Sequence, residues 1–499
     1  MDLSAFFRLL AAGWTLVRAD ALIPRELDAV LPPGVRTVAR VLRLFSGRQA
    51  RDGRPGERLA RTLERLGPVA IKLGQVLSTR ADIFGARFAG DLSRLKDALP
   101  PFPIDVARAE IEREFGRPVA EIFPVFGEAV AAASLAQAHR AVMADGREVA
   151  VKVLRPGIER RVGADSRTLL IAARLIEALV PPARRLEPMA FARTVIRSLQ
   201  LELDMRFEAA GAAELSEVMN RDGWMRAPKV VWDGVAKRVL TLEWADGLAL
   251  SDPATLEVPG LDRKAIADNL IRAFLAQALD HGVFHADLHE GNLFVLPPSG
   301  IVAVDFGIVG RLSPETRRYL AEILYGFLTR DYTRVAKAHF DAGYVPSHHD
   351  PEAFAQALRA VGEPVFGRAA SELAMGRLLS LLFEITSLFD MRLRPELVLL
   401  QKTMVTVEGV ARRLWPDHDL WAAADPVVRR WIARELSPVA RAREFADEGL
   451  RALRAIARLA EADSEKTVII EAERTPGLVW FAAGAAVAGG AFLLAQMFG

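Results

Sequence analysis

Between His285 and Asn292 the chain reads HADLHEGN, and Asp305-Phe306-Gly307 follows. Asp287 precedes Asn292 by five positions and Asp305 by eighteen. One carboxylate on a loop can orient a nucleophile, while an amide oxygen and a second carboxylate are hard donors of the kind a magnesium ion accepts beside phosphate oxygens. The spacing therefore points to phosphoryl transfer. Asp287 is expected as the catalytic carboxylate, Asn292 and Asp305 as metal ligands, and Mg2+ with ATP or ADP as their cofactors.

Such a site needs a cation for the phosphates. Val149-Ala150-Val151-Lys152 has the form of the third strand of a kinase-like lobe, whose lysine reaches the nucleotide while a helical glutamate holds it. A lysine after apolar residues is common, so the reading rests on order: strand lysine, helical acid, catalytic loop, then Asp-Phe-Gly. The segment LELDMRFEAA, residues 201–210, offers Glu202, Asp204 and Glu208 as partners for Lys152, and Glu208 is the first choice. Where a glycine-rich loop would cover the phosphates, Ala131-Ala132-Ala133-Ser134 stands instead. Alanine carries a Cβ and resists positive φ, so this cofactor-binding turn should be stiffer. No Walker-A sequence provides another phosphate cradle.

The elements that must position these groups follow from period and punctuation. Residues 1–110 read as helices broken at Leu31-Pro32-Pro33-Gly34 and Leu99-Pro100-Pro101. Residues 111–245 form a small lobe: alternating runs over Ile122–Leu154 turn at Asp145-Gly146, helices follow Pro156-Gly157, and strand character returns over Pro228–Trp244. Residues 246–472 are dominantly helical, apart from short apolar segments around Leu293 and Val302. The expected class is α+β, a two-lobed protein-kinase-like fold with an N-terminal helical extension and a C-terminal transmembrane helix.

That last element is the span 476–499. No charged residue follows Arg474, and Gly477–Phe498 is long enough to cross about 30 Å of hydrocarbon as one helix. Ala482, Ala486 and Gly490 share one small-residue face, which would let two copies meet as a homodimer. The N-terminal MDLSAFFRLLAAGWTLVRAD reads as an amphipathic helix, since Asp2, Arg8 and Arg18 do not suit a signal peptide. A formal net charge of +2 over 499 residues argues against a dedicated nucleic-acid partner. The absence of cysteine excludes disulfides, thiolate zinc sites and cysteine nucleophiles.

Over about residues 60–420 the sequence resembles the UbiB family of atypical kinase-like proteins. The matching pieces are Lys72-Leu73-Gly74-Gln75 with Ser78, Arg80 and Asp82, then Ala131–Ser134, Lys152, Glu202-Leu203-Asp204, Glu243-Trp244, His285–Asn292 and Asp305–Gly310. The resemblance implies a bacterial inner-membrane protein, single-pass with its body in the cytoplasm, supporting ubiquinone (coenzyme Q) biosynthesis through Mg-dependent nucleotide binding and ATPase activity. Membrane lipid, quinone precursors and quinone-biosynthesis enzymes are the implied partners. It also implies regulatory roles for Lys72, Gln75, Glu202 and Asp204, with the Lys72 helix over the active site and its lysine meeting Glu202 and Asp204. Glu243 would lie in a hinge-like segment beside the cofactor. Leu288, Glu290 and Gly211 depart from the usual pattern, and Glu290 stands close enough to Asn292 to alter metal affinity.

Ser313-Pro314-Glu315 looks like a helix start only a few residues after Gly307. Little room is left for the long segment on which a protein kinase docks peptide, which favours a small-molecule or lipid substrate, or ATP hydrolysis coupled to a conformational change. Two rivals are a metal hydrolase using His285, Asp287 and His289, and a nucleotide-binding pseudokinase scaffold for membrane-bound quinone-biosynthesis enzymes.

Overall fold

In the computed structural model, residues 3–21, 33–47, 53–78, 86–92, 95, 99–179, 184, 187–366, 385, 388–391 and 395–435 are described. The elements below lie almost wholly in one unit, Met1–Ile432, and the second unit, Ala433–Gly499, is nearly all outside the described residues. The anchor expected over 476–499 therefore also lies outside them. Among the described residues, no helix is long and apolar enough to cross a membrane.

The N-terminal region is helical, as its Pro/Gly punctuation predicts: α1 (Leu3–Arg18), α2 (Pro33–Arg43), α3 (Pro55–Leu66), α4 (Pro68–Ser78) and α5 (Ala86–Leu92). Pro55 occupies the first turn of α3, where a missing N–H costs nothing, and the Glu57 carboxylate accepts from the Arg54 N–H at 2.9 Å. Helix α6 (Ile104–Phe115) runs through the boundary expected at residue 110. Its Ala107 and Ile111 are fully buried against the sheet that follows, so packing joins it to the small lobe.

After the short α7 (Val119–Ile122) come β1 (Val125–Ala132), β2 (Ala136–Val142) and β3 (Glu148–Leu154), joined later by β4 (Val239–Glu243) in the antiparallel order β1-β2-β3-β4. Asp145-Gly146 makes the β2–β3 turn, with Gly146 at φ +86°. The two-residue period of β3 decides the chemistry. Val149, Val151 and Val153 are fully buried towards α6, whereas Leu154 packs on the opposite face with α9 (Pro188–Glu202) and α10 (Met205–Asp222), which follow α8 (Ile158–Leu179). Lys152 has the parity of Leu154, so its side chain is sent to the face that carries Glu208.

The large lobe contains β5 (Leu248–Ala249), α11 (Arg263–Ala276), β6 (Val283–His285), β7 (Leu293–Leu296), β8 (Gly300–Ala303) and β9 (Val309–Arg311). Helices α12 (Pro314–Leu328), α13 (Tyr332–Asp341), α14 (Pro351–Phe366), α15 (Pro395–Leu414) and α16 (Leu420–Glu435) complete it. Strands β7 and β8 match the apolar segments around Leu293 and Val302. The β6–β9 ladder brackets the opening motif, with His285 opposite Val309 and Phe284 opposite Gly310. A Cβ at Gly310 would stand 2.2 Å from the Phe284 ring, so only glycine lets these strands approach. Ser313 Oγ accepts from the Thr316 N–H at 3.1 Å and begins α12 six residues after Gly307.

Candidate active site

Lys152 Nζ lies 2.8 Å from Glu208 Oε1 and 3.2 Å from Asp305 Oδ1, so one ammonium joins the small-lobe helix α10 to the Asp-Phe-Gly segment. Burial of Lys152 favours its neutral form, but Asp305 and Glu208 outweigh that effect and hold it protonated. Lys152 in turn holds the Asp305 carboxyl below the ordinary carboxylate range. The Asp305 side chain is 52% exposed, so the adjacent charge rather than burial sets this shift. Glu208 differs: burial pushes its carboxyl upward and Lys152 only partly draws it back.

His285 fixes the loop. Its ring is fully buried, the Asp287 N–H donates to Nδ1 at 3.1 Å, and Nε2 lies 3.2 Å from the Val304 carbonyl oxygen. One nitrogen must accept and the other must donate, which describes a neutral imidazole with its proton on Nε2. Both nitrogens are committed, so the metal-hydrolase reading of His285, Asp287 and His289 fails. His289 Nδ1 accepts from the Gly291 N–H at 3.0 Å, and its Nε2 stays 3.7 Å from Asp287 Oδ2. Burial lowers the pKa of His285, as it does for the buried His139 and His418. An unfolded histidine titrates at about 6.5, so below that pH the unfolded chain binds more protons and the native state loses stability. Thermal denaturation should show the midpoint falling by several degrees from about pH 7.5 to about pH 5, each such histidine contributing up to ~1.4 kcal/mol per pH unit. A flat profile would contradict three neutral native histidines.

Asn292 and Asp305 are held together by backbone. The Val304 N–H donates to the Asn292 carbonyl oxygen at 2.9 Å, and β7 and β8 pair Leu293 with Ala303. The Asn292 side-chain NH2 donates to Asp287 O at 3.0 Å, which leaves its amide oxygen uncommitted among the described residues. An uncommitted amide oxygen beside an ionised carboxylate fits a magnesium ion that takes its remaining oxygens from phosphate and water. Asp305 itself has φ +60°, a conformation Asp tolerates better than most residues.

The alanine turn joins β1 to β2, with Ala131 opposite Ala138 and Ala132 opposite Gln137. The Ala133 N–H donates to Ala136 O at 2.8 Å and Ser134 is buried. Arg155 Nε donates to Ala133 O at 2.8 Å, and the same guanidinium reaches Pro100 O at 2.8 Å. The turn is therefore pinned from below as well as stiffened by its methyl groups. Glu243 ends β4, where its carboxylate accepts from the Lys229 N–H at 3.1 Å and so turns to the neighbouring backbone.

Lys72 forms an ion pair with Glu202, joining α4 to α9. Asp204 does not meet Lys72 as the resemblance implies: its carboxylate accepts from the Arg206 N–H at 3.1 Å, capping α10, and pairs with the Arg206 guanidinium at 2.6 Å. Gln75 is half-buried one turn further along α4. Glu290 pairs with Arg413 of α15, which balances its charge. Thr403 on the same helix, with Oγ 3.0 Å from Ala286 O, escaped the sequence reading; so did Arg155.

Residues 94–339 match the ABC1 atypical kinase-like domain, and residues 358–419 match the UbiB helical domain. A probable protein kinase UbiB of Pseudomonas paraeruginosa is 39% identical over 454 residues, spanning 89% of this chain and 85% of the relative. The chain belongs to the UbiB family. Another UbiB relative, from Marinobacter nauticus, is 39% identical over 388 residues, 77% of this chain and 71% of its own. Membership of UbiB places the chain, at family level, among kinase-type phosphotransferases. The kinase-like fold is also that of Mycobacterium tuberculosis Rv3197, solved as an erythromycin complex, at TM-score 0.54 and 22% identity over 79% of this chain and 98% of that one.

Proposed function

We propose that this protein is an atypical kinase or ATPase that binds Mg-ATP and supports ubiquinone biosynthesis at a bacterial membrane. The observation that carries the reading is the Glu208–Lys152–Asp305 bridge set against the Asp287–Asn292 loop. When bound, magnesium supplies charge neutralisation across the phosphates. Asp305 and Asn292 would hold it. Lys152, kept charged by two carboxylates, would orient the nucleotide phosphates, and the pinned alanine turn would close over them. Asp287 would orient the nucleophile, a water or a substrate hydroxyl.

Only β9 and two residues separate Gly307 from the cap of α12, with Leu312 N–H bonded to Gly282 O at 2.8 Å. A peptide shelf is lacking between those points, which favours a small or lipid acceptor, or hydrolysis coupled to a conformational change. Attachment through residues 476–499 would put the body at the cytoplasmic face, near membrane lipid, quinone precursors and their enzymes. Quinone intermediates would be profiled in a strain lacking the protein, complemented with wild type or Asp287→Asn. Wild type should restore quinone and Asp287→Asn should not. Full restoration by the variant would refute turnover at this site and leave a nucleotide-binding scaffold.

A further inference from the structure

Away from the kinase-like site, His348, His349 and Asp390 each offer one ligand atom, and these three atoms lie within 4.8 Å of one another; no other such trio of histidine and acidic side chains occurs among the described residues. The two histidines lie between α13 and α14, and Asp390 stands in the segment leading into α15, 41 residues after His349. His349 Nε2 is 3.2 Å and His348 Nε2 3.9 Å from the same oxygen, Asp390 Oδ2. The adjacent imidazole rings lie against each other, with centroids 4.1 Å apart. Only Asp390 falls in a stretch that matches a family domain, the UbiB helical domain; the two histidines lie between the two matched stretches.

Apolar packing holds the two segments in place. Val345 and Phe389 belong to one buried cluster, in which the Phe354 and Phe389 rings meet edge-on at 4.9 Å, and the His349 ring lies 5.3 Å from that of Phe389. The His349 N–H donates to Pro346 O at 3.2 Å, which fixes the turn that carries the pair. His348 and Asp390 are exposed, so an ion reaches them from solvent. Asp350 is not part of the set: its carboxylate accepts from the N–H groups of Glu352 and Ala353 at the start of α14.

We propose that His348, His349 and Asp390 form a site for a divalent cation of the zinc class, which ties the α13–α14 turn to the segment entering α15. Two imidazole nitrogens and one carboxylate oxygen make a three-ligand set that zinc accepts, with a further position left to water. Two ligands about 2.1 Å from a tetrahedral ion stand about 3.4 Å apart. The His349–Asp390 separation already meets that spacing, and a small rotation of the exposed His348 side chain brings in the third ligand. One histidine is enough to hydrogen-bond an exposed carboxylate; a second imidazole brought to the same oxygen is what a cation requires. Magnesium prefers oxygen ligands and does not suit a pair of imidazoles, so this site differs in chemistry from the one proposed for Asn292 and Asp305. The ion would also steady the entry to α15, the helix whose Thr403 and Arg413 are bonded to the catalytic loop.

The test uses the full chain without a histidine tag, freed of metal by chelation, as wild type, His348→Gln and Asp390→Asn. Asparagine is chosen because it tolerates the φ of +47° at position 390. Zinc is titrated against a chromophoric chelator in excess Mg2+, cobalt binding is followed by visible absorption, and the thermal midpoint is read with and without zinc. Wild type should bind one zinc, show visible cobalt bands, and gain in midpoint when zinc is added. Each variant should bind zinc at least about tenfold more weakly and lose the cobalt bands. Its metal-free midpoint should stay at the wild-type value, because both replaced side chains are exposed. Zinc bound equally tightly by wild type and both variants overturns the site. A wild type that binds no zinc, or that loses it to Mg2+, overturns it as well.

Discussion

Asp305→Asn should abolish phosphate release while leaving the protein folded. Removal of a single well-aimed electrostatic group costs on the order of 10²–10³ in rate, and Asp305 holds two roles at once. In the proposed function it would hold a magnesium ion, and it is one of two anions that keep Lys152 charged. Asparagine is the informative replacement because it tolerates the φ of +60° that this position requires, whereas alanine would add backbone strain. Stability should barely move, since half of the side chain faces solvent and Lys152 keeps Glu208 at 2.8 Å. The Lys152–Glu208 pair should even tighten, because the Asp305 charge is among the influences that raise the Glu208 carboxyl. The measurement is Mg-ATP hydrolysis by purified wild type and variant at matched thermal midpoints. Equal phosphate release would exclude Asp305 as a necessary metal ligand.

The parts of this site that were legible in sequence are those whose geometry is local. A six-residue loop from Asp287 to Asn292 and a strand–turn–strand from Asn292 to Asp305 leave the backbone few alternatives, so spacing brings those groups together. Lys152 and Glu208 are 56 residues apart, yet strand parity aims the lysine at one face of the sheet and helix α10 covers that face. The other two candidates are occupied in the structure, Glu202 by Lys72 and Asp204 by the cap of α10. What stayed hidden came from distant segments. Arg155, in the loop after β3 and bonded to the alanine turn, and Thr403 and Arg413 on α15 lie where the local pattern specifies only packing. The partner of Glu290 stayed hidden for the same reason, since it is Arg413, 123 residues away.

Breaking the Lys72–Glu202 pair should have the largest effect on stability. Lys72 is 7% exposed and the Glu202 side chain 23%, so Lys72→Met leaves a mostly buried carboxylate without its cation. Loss of one partner of a buried pair costs about 3–5 kcal/mol; the residual exposure of Glu202 puts the expected value near ~3 kcal/mol. The double variant Lys72→Met/Glu202→Gln removes both charges together. Helix α4 also packs through Val69, Leu73 and Val76 on the apolar cluster that contains Leu199 and Leu203, so it keeps its seat when the pair is neutralised. The double variant should therefore recover much of the loss, and a double-mutant cycle by thermal or denaturant unfolding should return a coupling of about 1–3 kcal/mol. Strictly additive single costs would mean the two charges are not joined in solution. A regulatory role adds one condition that a purely structural role does not: nucleotide affinity should change in Lys72→Met and return in the double variant only if the seating of α4, rather than the charge of Lys72, controls the site. If the charge itself acts, both variants should bind Mg-ATP alike and differ from wild type.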